Sequence, residues 1–231
     1  KSKRKPSIYE ICGSFQGRKN TGLDMILAIL GTGGHAKSIY DIVKNKKIYF
    51  FDKTKKEFKV GNKIFKVTDN NASIKNYKKK ISQVIVAIGN NIIRKNYYTI
   101  LKKNKFKLAT LIHPKSYSSF GSKIGEGSVV MQGSFINTDT IIGNNCIINS
   151  NASIDHDCLI KDHTHICPGV IIAGNVKIGK NCWIGLGTKI IENCIIGDNV
   201  FVAAGTLVTK NIKSNAFVKG VPAKYARKKL A

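Results

Sequence analysis

From residue 124 onward every sixth position is Ile or Val, and the series Ile124, Val130, Ile136, Ile142 continues without a break to Val208. A six-residue period matches neither the 3.6-residue turn of an α-helix nor the two-residue alternation of a strand. It suits a triangular solenoid, in which each hexapeptide supplies one short strand and one corner and three hexapeptides close a coil. Fifteen such positions give about five coils. Four residues after each aliphatic stands a small or β-branched side chain: Ser128, Ser134, Thr140, Cys146 and Ala152 begin that second series. The large residue is expected to point into the prism, and the small one to pack where two walls converge. Gly and Asn recur between them, as in Gly143-Asn144-Asn145 and Gly197-Asp198-Asn199, which tight corners require. A bare solenoid leaves flat walls and open ends exposed. Other parts of the chain, or neighbouring copies, must cover them.

The segment before the repeats follows another pattern. Short apolar runs at 26–30, 48–51, 64–67, 84–88 and 108–112 read as strands, and 35–45, 72–80 and 91–104 as helices. Strands separated by helices imply βαβ units and a parallel sheet. The fold class is therefore α/β plus β-solenoid, a small Rossmann-like domain over 25–113 followed by a left-handed parallel β-helix over 114–212. Residues 213–231 form a C-terminal tail. Residues 1–24 are polar, basic and aperiodic, and Met25 stands immediately before the first apolar run. They are expected to form a flexible leader.

Gly31-x-Gly33-x-x-Ala36 follows the first strand and opens a helix, and Asp52 closes the second strand. This is the fingerprint in which backbone N–H groups cradle phosphate and an acid holds a ribose or base. Taken alone it fits NAD, another nucleotide, or a purely structural glycine turn. About 90 residues make only half of a dinucleotide fold, which counts against NAD.

Most of the net charge of +26 falls within residues 25–113, suiting a polyanionic ligand such as a nucleotide or coenzyme A. A lysine-rich background composition explains the same excess without a ligand. The lysines are scattered and lack interleaved aromatics, so a nucleic-acid partner is not expected. No CxxC pair occurs among the six cysteines, so no metal is expected. Cys146, Cys158, Cys182 and Cys194 occupy equivalent repeat positions and read as buried small residues in a reducing compartment. No apolar run is long enough to span a bilayer, no secretory h-region is evident, and a cytoplasmic location is expected.

His156 occupies an outward repeat position between Asp155 and Asp157. Imidazole titrates near neutrality and can take a proton from an attacking nucleophile. A flanking carboxylate can fix its tautomer and stabilise the imidazolium. Either acid could serve, and a polar histidine on a solenoid wall can equally well face solvent.

The stretch Ile148-Asn149-Ser150-Asn151-Ala152-Ser153-Ile154-Asp155-His156-Asp157-Cys158, the later Gly220-Val221-Pro222-Ala223-Lys224 and the early Gly31-Thr32-Gly33-Gly34-His35 resemble one family. So do Ala87-Ile88-Gly89-Asn90-Asn91-Ile92-Ile93-Arg94 and His113-Pro114. These segments are similar to the sugar acetyltransferases typified by the bacillosamine-pathway UDP-4-amino-sugar N-acetyltransferase and the sialic acid O-acetyltransferase. The resemblance extends from residue 26 to about 225. It implies a homotrimer, with acetyl-CoA lying between adjacent β-helices, and a substrate that is a nucleotide-linked 4-amino-4,6-dideoxy sugar. It makes His156 the general base and Asp157, a Glu in the bacillosamine enzyme, its orienting acid. It puts His165 and Gly174 at the acetyl-CoA site and Asn149 at the substrate. It assigns Gly33, Gly34, His35 and Asp52 to a nucleotide-sugar pocket. His163 has no such counterpart and reads as solvated, and His113 reads as shaping the linker. O-acetylation of a sialic acid and a non-enzymatic binding solenoid remain the alternatives.

Overall fold

The computed structural model describes residues 26–226. The leader expected over 1–24 and the last residues of the tail lie outside them. The first domain runs β1 (Ile26–Leu30), α1 (Gly34–Val43), β2 (Lys47–Phe51), β3 (Glu57–Val60), β4 (Lys63–Lys66), a 3₁₀ stretch (Asn71–Tyr77), β5 (Gln83–Val86) and α2 (Asn91–Lys103). β1 is the central strand, paired in parallel with β2 on one side and β5 on the other. All five of its residues are buried, as expected for a strand covered on both faces.

Two expected strands take different places: of 108–112 only Leu108 bridges the small sheet, at Val84, while Leu111–Ile112 pairs with Val129–Val130 of the solenoid. The run 64–67 is expected in the parallel sheet, but β4 pairs antiparallel with β3 and forms a separate hairpin. Gly61-Asn62 supplies the two-residue turn, with Gly61 at φ 54°, a connection that favours a hairpin over a crossover. Buried Phe58 and its partner Phe65 then pack on Phe50 and Tyr40. The helix expected over 72–80 shortens to the 3₁₀ stretch, which starts where the Asn70 side chain accepts from Ala72 N–H.

The repeats form a parallel β-helix with three walls. The first wall has eight strands and includes Leu111–Ile112, Val129–Val130, Ile147–Ile148, His165–Ile166 and Trp183–Ile184. The second wall begins at Tyr117–Ser118 and the third at Lys123–Ile124. Partners along the repeats are 18 residues apart, so Ile142 lies beside Ile160 and Ile148 beside Ile166, and Phe217–Lys219, expected in the tail, adds a last parallel strand to the first wall with Phe217 beside Phe201. The inward aliphatics from Val130 to Val208 are at most 2% exposed. Burying each contributes roughly 1.5–3 kcal/mol relative to exposure. The small-residue series does more than fit the corner. Ser128, Thr140 and Thr164 donate to Gly143, Asp155 and Gly179 carbonyls 15 residues on, at 2.6–2.8 Å. Cys146, Cys158 and Cys182 make the corresponding Sγ contacts to Lys161, Ala173 and Gly197. All four repeat-position cysteines are buried and unpaired.

The first domain sits on the first wall, and Arg94 of α2 holds it there. This guanidinium is 1% exposed and has no carboxylate partner in its hydrogen bonds. Nε donates to the Asn145 carbonyl, one terminal nitrogen to the Ile88 and Gly89 carbonyls, and the other to Asn91 Oδ1 and the His163 carbonyl. Two acceptors belong to solenoid corners and three to the α/β domain. Asn91 adds a 2.8 Å bond to the Cys182 carbonyl. No helix among the described residues is long and apolar enough to cross a membrane.

Arg94→Met should therefore leave several buried acceptors unmet, each worth about 1–3 kcal/mol. Urea denaturation should show a loss of at least ~3 kcal/mol, or separate melting of the two parts, whereas exposed Lys95→Ala should shift stability by less than ~0.5 kcal/mol.

Candidate active site

The C-terminal ends of β1, β2 and β5 open on one side of the small sheet, where ligands bind in open α/β folds. Gly31 adopts φ 94°, and a Cβ there would lie 2.8 Å from Ile88 Cγ1, so only glycine lets these two strand ends approach. Gly33 and Gly34 have no protein atom within 4 Å of a built Cβ. α1 starts at Gly33 with no side-chain cap and no acid in its first turn, which leaves its N–H groups free to meet an anion. A cleft of about 590 Å³ beside them is lined by Thr32, Lys37, Lys55, Lys56, Glu57 and Lys59.

Asp52 lies at this cleft with its acceptors already occupied. Oδ2 accepts from Thr32 N–H at 2.9 Å and from Thr32 Oγ1 at 2.6 Å. Oδ1 accepts from the N–H groups of Thr54 and Lys55, both at 3.0 Å. Burial opposes its charge, but these hydrogen bonds win and bring its pKa down to about 2. A carboxylate offers about four lone pairs, so none is left for a ribose. Asp52 orders the 32 and 53–55 loops, and the cationic groups at the cleft are lysines, of which Lys55 donates to the Thr32 carbonyl at 3.3 Å and Lys59 pairs with Glu57 at 3.4 Å. Thr32, Lys37 and Lys55 carried no role in the sequence reading. The run Lys53-Thr54-Lys55-Lys56 directly after Asp52 was the available signal.

A second group meets where the α/β domain touches the first wall. Asn149 Oδ1 accepts from Ser150 N–H, so its Nδ2 donates to His165 Nε2 at 3.2 Å. That places the ring proton on Nδ1, which is buried with only the Gly89 carbonyl near it as an acceptor. His165 also packs edge-on against Trp183 at 4.5 Å. Burial, with help from the nearby Arg94 and His35, lowers its pKa to about 3. His35 Nε2 is buried without a partner, and burial next to Arg94 lowers that pKa to about 4. Two neutral imidazoles thus lie buried near one another where the domain meets the first wall.

His163 is not solvated, contrary to expectation. It is half-buried, packs edge-on to Tyr98 of α2 at 5.3 Å, and its Nδ1 accepts from Asn145 Nδ2 at 2.9 Å. The α/β domain covers this corner, which the repeat pattern does not reveal. His113 is buried at the junction, where Nδ1 accepts from Lys115 N–H and Nε2 contacts Asp41 at 3.3 Å.

His156 sits at the corner between the second and third walls, on the edge of the prism opposite the wall that carries the domain. Its ring is exposed. Nδ1 lies 2.8 Å from Asp157 Oδ2, so the ring proton belongs there and Nε2 keeps its lone pair. Asp155 is occupied differently, its Oδ1 accepting from the His156 backbone N–H at 2.8 Å and from Asn137 Nδ2 at 2.7 Å. Asp157 thus orients the ring and Asp155 the turn. The bond to Asp157, supported by the charge of Asp155, raises the His156 pKa. Gly174 lies one coil on, directly against the ring. The expected site residues therefore form two groups on opposite sides of one chain. Gly33, Gly34, His35, Asp52, Asn149 and His165 lie on the domain side, and His156, Asp157 and Gly174 on the far edge.

Comparisons with known proteins divide the chain in the same way. Residues 26–101 match the PglD N-terminal domain. Residues 121–156, 139–176 and 175–210 match the bacterial transferase hexapeptide, six repeats. The UDP-N-acetylbacillosamine N-acetyltransferase of Bacillus subtilis (strain 168) is 33% identical over 111 residues, 46% of this chain. That match spans 50% of the Bacillus protein. Among solved structures, the acetyltransferase domain of PglB from Neisseria gonorrhoeae FA1090 superposes with a TM-score of 0.82 at 31% identity, covering 87% of this chain and 99% of that one. A point mutant of perosamine N-acetyltransferase from Caulobacter crescentus, in complex with CoA and GDP-perosamine, gives 0.82 at 29% identity over 90% of this chain and 99% of that one.

The depressed histidines make stability depend on pH with a definite sign. His35, His163 and His165 have folded pKa values of about 4, 4 and 3, against about 6.5 in an unfolded chain. Between those values the unfolded state binds more protons, so stability falls as pH drops from about 6.5 toward 4. Urea midpoints at pH 7.5, 6 and 4.5 should decline in that order, and the decline should weaken in a His163→Asn variant.

Proposed function

The chain belongs to the hexapeptide-repeat sugar acetyltransferases with a PglD-type N-terminal domain, and from that premise we propose that it is an acetyl-CoA-dependent N-acetyltransferase of a nucleotide-linked 4-amino-4,6-dideoxy sugar. The observation that carries the mechanism is the 2.8 Å contact between His156 Nδ1 and Asp157, which leaves Nε2 bare at an exposed corner. A sugar amine is largely protonated near neutrality, and a base must make its lone pair available. The ammonium first gives one proton to solvent; the neutral amine nitrogen then attacks the thioester carbonyl carbon while Nε2 takes the second proton, the one the amide nitrogen must lose. As the tetrahedral intermediate collapses the carbon–sulfur bond breaks, and the proton can pass to the departing thiolate so that CoA leaves as the thiol. The Gly174 N–H is a suitable donor to the developing oxyanion. Its counterparts one and two coils earlier, at His156 and Thr138, are capped by Asp155 and Asn137, whereas Ala173 has no side chain able to cap Gly174.

The base and the crevice lie on opposite sides of one chain, so the complete site needs a neighbour. We take the assembly to be a homotrimer. The two walls flanking His156 expose aliphatics at outward positions: Ile171 is 50% exposed on the second wall, and Ile141 and Ile195 are 42% and 49% exposed on the third. A neighbour packed there would cover this surface and bring its own crevice to His156. In that arrangement the uncapped α1 N-terminus and the lysines 37, 55 and 56 hold the diphosphate. His35, Asn149 and His165 approach the sugar and the acetyl group. A cytoplasmic location is part of the same reading.

His156→Ala should lower kcat by ~10²–10⁴-fold, the usual range for a positioned general base, with acetyl-CoA KM little changed. The assay couples thiol release to a panel of UDP-, dTDP- and GDP-linked amino sugars and free sialic acid. Turnover of sialic acid alone would replace the amine with a hydroxyl acceptor, and activity within a few-fold of wild type would remove His156 as base.

Lys55→Ala and Lys56→Ala should raise the sugar-nucleotide KM while leaving kcat at saturation intact. Their effects should shrink at high salt, because each lysine acts as a screened charge. Asp52→Asn should also raise that KM, and in addition should lower the melting temperature, because it organises the Thr32 and Lys55 backbone.

A further inference from the structure

We propose that Gly174 is a positioning residue for His156: the missing side chain leaves a notch in the next coil that holds the imidazole in its working orientation. This rests on the reading of His156 as the general base.

The geometry is local and specific. A Cβ built on Gly174 would lie 2.7 Å from His156 Cε1, 2.8 Å from Nε2 and 3.3 Å from Nδ1. Those three atoms are the N–C–N edge of the ring, which carries both the contact to Asp157 and the bare nitrogen. Real Cβ atoms do not approach so closely, so a methyl group would have to move the imidazole. Other glycines with equally short distances face different obstacles. Gly125, Gly179 and Gly185 would drive a Cβ into backbone carbonyls and nitrogens of the next coil, and a substitution there strains the solenoid. At Gly174 the obstacle is the exposed end of one side chain. His156 is free to swing toward solvent, and Gly174 does not adopt a positive φ. Alanine is therefore expected to leave the coil intact and move the ring alone. Chain connectivity supports the same pairing, because Asn175 N–H donates to the His156 carbonyl at 2.9 Å. The two corners are stacked backbone to backbone, and ring position depends on what the upper corner carries. The 2.8 Å bond from Nδ1 to Asp157 tolerates little displacement, since hydrogen bonds weaken quickly beyond about 3.2 Å.

The test is Gly174→Ala, with Glu192→Ala as the control at the equivalent corner one coil further on. Ring titration of His156 by NMR is the primary readout, because it reports the Asp157 contact whether or not His156 is the base. In Gly174→Ala the His156 pKa should fall toward 6.5, the acid limb of the kcat/KM profile should shift with it, and kcat should fall at least tenfold. The melting temperature should stay within about 2 °C of wild type. Glu192→Ala should leave the ring titration, kcat and melting temperature unchanged. An unshifted ring pKa in Gly174→Ala overturns the proposal, as does a variant that loses activity only because it no longer folds. A shifted ring with full activity upholds the notch and rejects His156 as base.

Discussion

The β-helix depends on one backbone constraint, a left-handed residue at every corner. From Gly121 through Gly205 every sixth residue has positive φ, between 54° and 80°. Non-glycine residues adopt that conformation at a cost, and Asn and Asp adopt it more readily than most. The fifteen corner residues are accordingly Gly, Asn, Asp and one His. Because the turns recur in register, inward aliphatics stack on aliphatics and corner hydroxyls reach the carbonyls of the following coil. A single corner unable to adopt positive φ would offset every strand beyond it. Asp157 is one of these residues, at φ 59°, so the acid that orients His156 also makes the turn. The left-handed backbone brings its carboxylate within 2.8 Å of the ring.

A second constraint joins the two parts of the chain. Arg94 is buried without a counter-charge and survives through five carbonyl or amide acceptors. Burial, reinforced by its field, keeps both His35 and His165 neutral near pH 7, while Asn149 already occupies the His165 Nε2 lone pair. The interdomain joint and the chemistry of the crevice are therefore coupled.

Much of this was legible in the residues. The six-residue period gave the solenoid, its coil number and the inward stacking, because a periodic core needs no tertiary information. The glycine turn and the alternating apolar runs gave the small parallel sheet. The hairpin was missed because Glu57–Val60 is a short strand alternating with lysine and acid; the Gly61-Asn62 turn was the available signal, and the aromatic contacts confirm the pairing. His163 was misread because the pattern identifies an outward position and not the domain that covers it. Asp52 was read as a ligand acceptor because fingerprint spacing cannot count lone pairs. The pairing of Gly174 with His156 lies 18 residues apart and emerges only once the coils are stacked.

The central claim is that the base and the sugar crevice of one working site belong to different copies of the chain. Mixing two inactive variants tests it directly: His156→Ala, which lacks the base, and a His35→Ala, Asn149→Ala double variant, which lacks the crevice. After co-refolding at equal amounts, a cyclic assembly with shared sites should recover about a quarter of wild-type activity, because each site draws its two halves independently. If each chain carries its own complete site, no mixture can contain an intact one, and activity at the level of the separate variants would contradict the account.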